Sequence, residues 1–201
     1  AVAGGLLAGL SGAAMADIVR SPHVPGANDN LSACACLVAL ARAVRERPLR
    51  GLRVLLVSAG AEETLQEGIR GLAPRLLAPL PKDRTWVLNL DTVGSPHLVM
   101  LEGEGPLWME DYTDPAFRDL VARCAAAAGV PMRRGMRARS STDGVIASRI
   151  PLPTATLVSL DDAKMLSNYH LMSDVPENVD LGTVAEAATV AEAVARALAA
   201  A

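Results

Sequence analysis

The chain has 201 residues and a net charge of −3, and 51% of its residues are apolar although it contains only one Phe, two Trp and two Tyr. This length allows one domain with a substantial core, which Ala, Val and Leu must fill. The small charge and the lack of a basic cluster argue against a nucleic-acid partner.

The chain begins with an apolar segment, taken as residues 1–19, whose first 16 residues carry no charge. A membrane-spanning helix needs about 20 apolar residues, so the segment fits the last part of such a helix, truncated at its start. Two other interpretations stay open, a signal-peptide core that ends in a cleavage-like site before Asp17 and a Gly-rich buried helix. We therefore expect the protein to be membrane-associated or exported.

Residues 20–201 are predicted to form one domain. A turn-rich connector at residues 21–26 leads to a helix over Leu31–Arg47, whose basic carboxyl end suits the helix dipole. The apolar run Leu52–Val57 is predicted to be a buried strand. A weaker helix follows over residues 65–77, with an interruption at Pro74. The three cysteines are expected to be small core residues: Cys34, Cys36 and Cys124.

The second half of the chain continues this alternation of strands and helices. The predicted elements are a strand over Trp86–Asp91, a short strand over His97–Leu101, a helix from Pro115 to Gly129, a strand over Thr154–Ser159 and an Ala-rich helix from Leu181. Alternating strands and helices with near-continuous apolar runs predict an α/β fold. We expect a three-layer α/β/α sandwich with a mostly parallel central sheet.

Acidic side chains follow the predicted strands where the strands end. Glu62 and Glu63 come just after one apolar run, and Asp91 ends the next strand, while Asp29 lies in a turn before a helix and His170 follows the last strand. Ligands bind beyond the carboxyl ends of such strands, so we expect these side chains to converge. Crowded carboxylates repel one another unless a cation cancels their charge, and imidazole with oxygen ligands indicates zinc.

The adjacent pair Glu62 and Glu63 can divide two roles. Successive side chains that leave a strand point in different directions, so one carboxylate can bind the metal while the other accepts a proton from water. Taken singly, each of these residues has an ordinary structural explanation, such as a solvated loop for the pair or a helix cap for Asp29. Their order and their positions at strand ends are what indicate a metal site.

With these motifs in place, the chain resembles the zinc-dependent aminopeptidase family whose relatives include glutamate carboxypeptidase and glutaminyl cyclase. The resemblance covers residues 25–180, and four motifs carry it in this order: Gly26-Ala27-Asn28-Asp29-Asn30, Glu62-Glu63, Asn89-Leu90-Asp91 and Tyr169-His170. It implies that Asp29 bridges two zinc ions, that Glu62 is the general base, and that Glu63, Asp91 and His170 are ligands. It also implies a cis peptide bond between Asp29 and the next residue.

Two departures from the family pattern follow. The family's first ligand motif, His-x-Asp on a strand, has no match in residues 1–28, so we expect it before Ala1 and treat 20–201 as a catalytic domain that lacks its amino-terminal part. Where many relatives have Ser-Asp-His, this chain has Asp143 followed by Gly144, which removes a side chain able to contact substrate. The resemblance implies that Asp143 and Tyr169 lie just behind the ligands.

The expected function is a zinc-dependent exopeptidase, an aminopeptidase that hydrolyses the N-terminal bond of a peptide substrate with one or two zinc ions. Asp29, Glu63 and His170 would complete one zinc position, whereas Asp29 and Asp91 alone remain for the other. A glutaminyl-cyclase-like acyltransferase with a single zinc is the first alternative. The second is a non-catalytic binding domain tethered to a membrane through the apolar segment.

Overall fold

A computed structural model describes residues 2–200 of the chain, which contain six α-helices and five strands. The helices are α1 (Val2–Arg20), α2 (Ser32–Glu46), α3 (Glu67–Leu72), α4 (Pro115–Ala127), α5 (Asp143–Arg149) and α6 (Leu181–Ala199). The strands are β1 (Val87–Leu90), β2 (His97–Glu104), β3 (Glu110–Asp111), β4 (Arg133–Ala138) and β5 (Thr154–Leu160). Single helical turns lie at Ala27–Leu31, Ala73–Leu77, Lys82–Arg84 and Pro176–Asn178.

The five strands form one mixed sheet in the order β1, β5, β2, β3, with β4 also paired to β2. β1 pairs with β5 in parallel, and β4 pairs with β2 in parallel. β2 runs antiparallel to β5, with Met100 opposite Leu157. The α/β/α class with a central sheet is therefore confirmed, although the sheet is not purely parallel.

Apolar side chains cover both faces of the sheet, as the period of two in β2 requires. Leu98 and Met100 join a core with α2, α4 and α6 on one face. Val99 and Leu101 join a second core with α3 and α5 on the other face. All three cysteines are free thiols; Cys36 and Cys124 are buried core residues, as predicted, whereas Cys34 is only partly buried.

Most of the predicted elements are present with shifted ends. α2, α4 and α6 follow the prediction, and the Asp114 side chain caps α4 by accepting from the amide of Ala116. The weak helix begins at Glu67 rather than Leu65. The sequence did not reveal β3, β4 or α5, because β3 has two residues, α5 has seven, and β4 reads Arg-Arg-Gly-Met-Arg-Ala without an apolar alternation.

The prediction of a buried strand over Leu52–Val57 is wrong. The segment has no regular secondary structure and pairs with no described strand, and Leu55 and Leu56 are 46% and 41% exposed. An apolar run favours a buried strand, but a strand also needs a neighbour for its backbone groups. Here a cavity of about 570 Å³ separates the segment from β1.

The apolar segment at the start of the chain forms α1. Its large apolar side chains, from Val2 to Val19, are exposed, so the interpretation as a buried helix is wrong. Across residues 2–200, no helix combines the length and the apolar character that crossing a membrane requires. Membrane association or export through this segment stays a prediction.

The fold makes a direct prediction about stability. Leu157 lies on β5 and is fully buried, so Leu157→Ala leaves a cavity between the helical layer and the sheet, and we expect the free energy of unfolding to fall by about 2 to 5 kcal/mol. Leu10→Ala, at an exposed position in α1, is the control and should leave it unchanged. Urea titration measures both variants; equal stabilities would contradict this packing.

Candidate metal centre

Three predicted ligands meet at one edge of the sheet. His170 Nε2 lies 2.7 Å from Glu63 Oε1 and 3.4 Å from Asp29 Oδ2. One ligand atom from each residue lies within 4.8 Å of the other two. Two carboxylate oxygens and one imidazole nitrogen form a donor set that zinc accepts.

The loop that carries Asp29 is fixed by a second acid. The buried carboxylate of Asp174 accepts hydrogen bonds from the backbone amides of Asn28 (2.7 Å) and Asp29 (3.1 Å). Asn28 Oδ1 accepts from the amide of Gly94 at 2.7 Å, which ties the loop to the segment after β1. The peptide bond between Asp29 and Asn30 is cis, as the resemblance implies.

Glu62 and Glu63 face different partners. Glu63 contacts His170, whereas Glu62 is half-buried and accepts a hydrogen bond from Gln66 Nε2 at 3.3 Å. Gln66 Nε2 also lies 3.1 Å from the carbonyl oxygen of Ser141, just before α5. The two adjacent carboxylates are thus held in separate surroundings, as the proposed division into ligand and base requires.

Asp91 lies beside the three ligands without joining their cluster. It directly follows β1 and accepts a hydrogen bond from its neighbour Thr92 Oγ1 at 2.8 Å. The same hydroxyl oxygen lies 3.5 Å from Asp29 Oδ1, so Thr92 stands between the two acids. The amide of Thr92 donates to Asn30 Oδ1 at 3.0 Å, which joins the Asp29 loop to the end of β1.

Burial and mutual repulsion destabilise the charged forms of the acids at this site when no metal is bound. Burial, followed by repulsion from Glu63, raises the pKa of Asp29 to about 6. Burial raises the pKa of Asp91 to about 7 and also raises that of Glu62. A positive charge nearby would stabilise the ionised form of each carboxylate. The arrangement therefore fits a divalent cation.

Asp143 and Tyr169 both lie next to the predicted ligands. Asp143 begins α5, burial raises its pKa, and its buried Oδ1 has no hydrogen-bond partner among the described residues. The Tyr169 ring stacks on the His170 ring with centroids 3.7 Å apart. A Cβ at Gly144 would lie 2.3 Å from Thr156 Oγ1, so this position faces the sheet, and the expected loss of a substrate contact there has no support.

The sequence did not identify the residues that hold the site in place. Asp174 carries no local sequence signal for its role, which depends on two amides far away in the chain. Glu104 is fully buried and accepts from the amide and hydroxyl of Thr142 and from the hydroxyl of Tyr112. In the sequence, Asp174 and Glu104 look like ordinary loop or strand residues, because their burial results from contacts with distant segments.

Comparison with known proteins gives one family. A model described as peptidase family M28 matches residues 13–195. Similar solved structures include LapB from Legionella pneumophila, which is 17% identical with a TM-score of 0.73 over 87% of this chain and 47% of LapB. The zinc aminopeptidase BSAP from Bacillus subtilis is 20% identical with a TM-score of 0.68, over 86% of this chain and 42% of BSAP.

A cyclase also has this fold. The glutaminyl cyclase of Bacteroides thetaiotaomicron is 20% identical with a TM-score of 0.63, over 86% of this chain and 63% of the cyclase. At such identities these likenesses show the fold alone. No curated protein matches this chain in sequence. The chain spans less than half the length of LapB and of BSAP.

The Asp174 contacts predict a loss of stability on substitution. Asp174→Ala leaves the buried amide of Asn28 and the partly buried amide of Asp29 without acceptors, and we expect the free energy of unfolding to fall by about 2 to 5 kcal/mol. Asp162→Ala, which removes an exposed partner of His97, is the control. Thermal unfolding compares the two, and an unchanged Asp174 variant would remove its assigned role.

The raised pKa values predict how stability depends on pH without metal. Asp29 and Asp91 ordinarily titrate near 3.8, so the folded protein binds more protons than the unfolded chain between about pH 4 and 7. The stability that the folded protein gains from the protonated forms of Asp29 and Asp91 is fully present below pH 4 and is lost as the pH rises through 6 to 7. The free energy of unfolding of chelator-treated protein should fall as the pH rises over this range. Asp91→Asn should make this dependence on pH less steep. A slope unaltered by Asp91→Asn would refute the assignment; Asp162→Asn is the control.

Proposed function

Because this chain belongs to peptidase family M28, we propose that the protein is a zinc-dependent aminopeptidase that hydrolyses the N-terminal bond of peptides. The observation that carries the proposal is the meeting of Asp29, Glu63 and His170 within 4.8 Å, beside a half-buried Glu62. Peptide is the proposed substrate class, because the family is one of peptidases.

We propose that Asp29, Glu63 and His170 hold one zinc ion and that Asp29 and Asp91 supply part of a second position. When bound, zinc would polarise the scissile carbonyl and lower the pKa of water at the site. The donor set and the raised pKa values of the buried acids support this assignment. We also propose that residues 20–201 are part of a longer catalytic domain, because the second position has only two acids here.

Glu62 is the proposed general base. Its raised pKa moves the carboxylate towards the working pH, where proton transfer is most effective. Glu62 would accept the proton of the attacking water and pass it to the departing amine. The hydrogen bond from Gln66 fixes one carboxylate oxygen of Glu62, which leaves the other for the water.

Asp174 and Tyr169 orient the proposed ligands. Asp174 holds the backbone of the Asp29 loop through two amides, and the Tyr169 ring stacks against His170. Oriented ligands lose little freedom when the ion binds, so these contacts favour metal binding.

A single-zinc glutaminyl-cyclase-like acyltransferase is the second candidate. The observation that favours it is that Asp91 stays outside the cluster of three ligands, which leaves one complete zinc position. A non-catalytic binding domain is the third, and it is motivated by the missing His-x-Asp motif in residues 1–28.

The proposal predicts that Glu62→Gln separates zinc binding from activity. The amide cannot accept the proton, so hydrolysis of aminoacyl anilides should fall by about 10²- to 10⁴-fold while the zinc content of the full-length protein stays constant. Glu67→Gln, at an exposed position on α3, is the control.

Retained hydrolysis in Glu62→Gln would remove Glu62 from its role. Conversion of an N-terminal Gln peptide without anilide hydrolysis would favour the cyclase. Wild-type protein that cannot be loaded with zinc would leave only the non-catalytic domain.

A further inference from the structure

One fully buried carboxylate lies outside the cluster of ligands. Glu104 ends β2, and its exposed fraction is 0%. Burying an acid is costly unless its oxygens accept hydrogen bonds. Oε1 of Glu104 accepts from the amide of Thr142 at 3.0 Å, and Oε2 accepts from the hydroxyl groups of Thr142, at 2.9 Å, and of Tyr112. Three donors therefore meet this one carboxylate.

The hydroxyl group of Thr142 can donate only to Glu104. Its oxygen accepts from Nδ2 of Asn89 at 3.0 Å and from the amide of Gly144 at 3.2 Å. A hydroxyl group has one donor and two acceptor positions, so the acceptor positions are filled and the single hydrogen remains for Glu104. Thr142 therefore requires a partner that accepts, and the carboxylate supplies it.

Gly144 makes room for this network of hydroxyl groups. A Cβ at position 144 would collide with Oγ1 of Thr156 and would lie 3.1 Å from the hydroxyl oxygen of Tyr112. The Tyr112 oxygen lies 2.8 Å from Oγ1 of Thr156, and its hydroxyl group donates to Glu104. The first turn of α5 thus packs directly on the hydroxyl groups that lead to Glu104.

The loop held by Glu104 also reaches the proposed general base. Ser141 precedes Thr142, and its carbonyl oxygen accepts from Nε2 of Gln66 at 3.1 Å. The same nitrogen donates to Oε1 of Glu62 at 3.3 Å. Gln66 is 6% exposed, and the two hydrogens of its amide group join the loop to Glu62.

We propose that Glu104 is a positioning residue that fixes the orientation of Glu62. Glu104 holds the loop at residues 141–142, and this loop holds Gln66 against Glu62. The inference rests on the proposed function, because it assigns a role relative to the general base. Within residues 2–200, Glu104 makes no hydrogen bond to the three ligands. Its effect is therefore on the geometry of proton transfer rather than on metal binding.

Glu104→Gln tests the proposal by kinetics. The amide nitrogen cannot accept a hydrogen bond, so the hydroxyl groups of Thr142 and Tyr112 lose their acceptor and the loop shifts. We expect kcat for aminoacyl anilides to fall by about 10- to 100-fold and KM to stay within about twofold, because misplacing a catalytic group slows the chemical step. The control is Glu102→Gln, the same substitution two residues earlier on β2, where the side chain pairs with Arg134.

A double-mutant cycle separates positioning from a general loss of structure. Gln66→Leu removes the contact between the loop and Glu62 and should lower kcat by a similar factor. If Glu104 acts through Gln66, then adding Glu104→Gln to the Gln66→Leu variant should lower kcat no further. Losses that multiply in the double variant would show that Glu104 acts by another route, and they would overturn the proposal.

A measurement on zinc-free protein is independent of peptidase activity. In isotopically labelled, chelator-treated full-length protein, the side-chain amide signal of Gln66 in NMR spectra should move in Glu104→Gln. It should also move in Thr142→Val, which removes the hydroxyl group but keeps Glu104, whereas Thr142→Ser should restore the wild-type signal.

The two measurements fail in different ways. A Gln66 signal that stays in place in both Glu104→Gln and Thr142→Val would overturn the positioning role. A signal that moves as expected, in a protein that hydrolyses no anilide, would support the contacts from Glu104 to Glu62 and would refute the proposed peptidase activity instead.

Discussion

The site depends on several carboxylates that lie close together and are partly buried. Asp29 lies next to Glu63, and Thr92 separates it from Asp91. Burial and repulsion raise the pKa values of Asp29 and Asp91 well above their ordinary range, so the protein alone holds these charges at a cost. A divalent ion removes that cost, and the same arrangement that opposes free carboxylates therefore favours metal binding.

Hydrogen bonds to side chains from distant parts of the chain keep the acids of the site in place. Asn28 and the amide of Asp29 attach one loop to Asp174, while Thr92 attaches it to the end of β1. Glu104 and Gln66 hold the loop before α5 from two sides. The bonds from Asn28 to Asp174 and from Thr142 to Glu104 are buried, so removing one partner would leave a buried polar group without a hydrogen bond. The ligands can then stay close together before any ion binds.

The order of the acidic motifs and the α/β/α class could be predicted from the sequence, because strand ends and helix caps have local signatures. The supporting residues could not, since the role of Asp174 or Glu104 depends on contacts between distant segments. The strand over Leu52–Val57 was predicted from an apolar run, but a strand also needs a paired neighbour, and none of the described strands pairs with this segment. β4 escaped prediction because an exposed, Arg-rich strand lacks apolar alternation.

The most direct test of the account is a crystal of zinc-loaded protein measured at the zinc absorption edge. The account predicts an anomalous peak about 2.0 to 2.2 Å from Nε2 of His170 and from one carboxylate oxygen each of Asp29 and Glu63. Fully loaded crystals with no peak between these three residues, or with the peak at another place in the molecule, would contradict it.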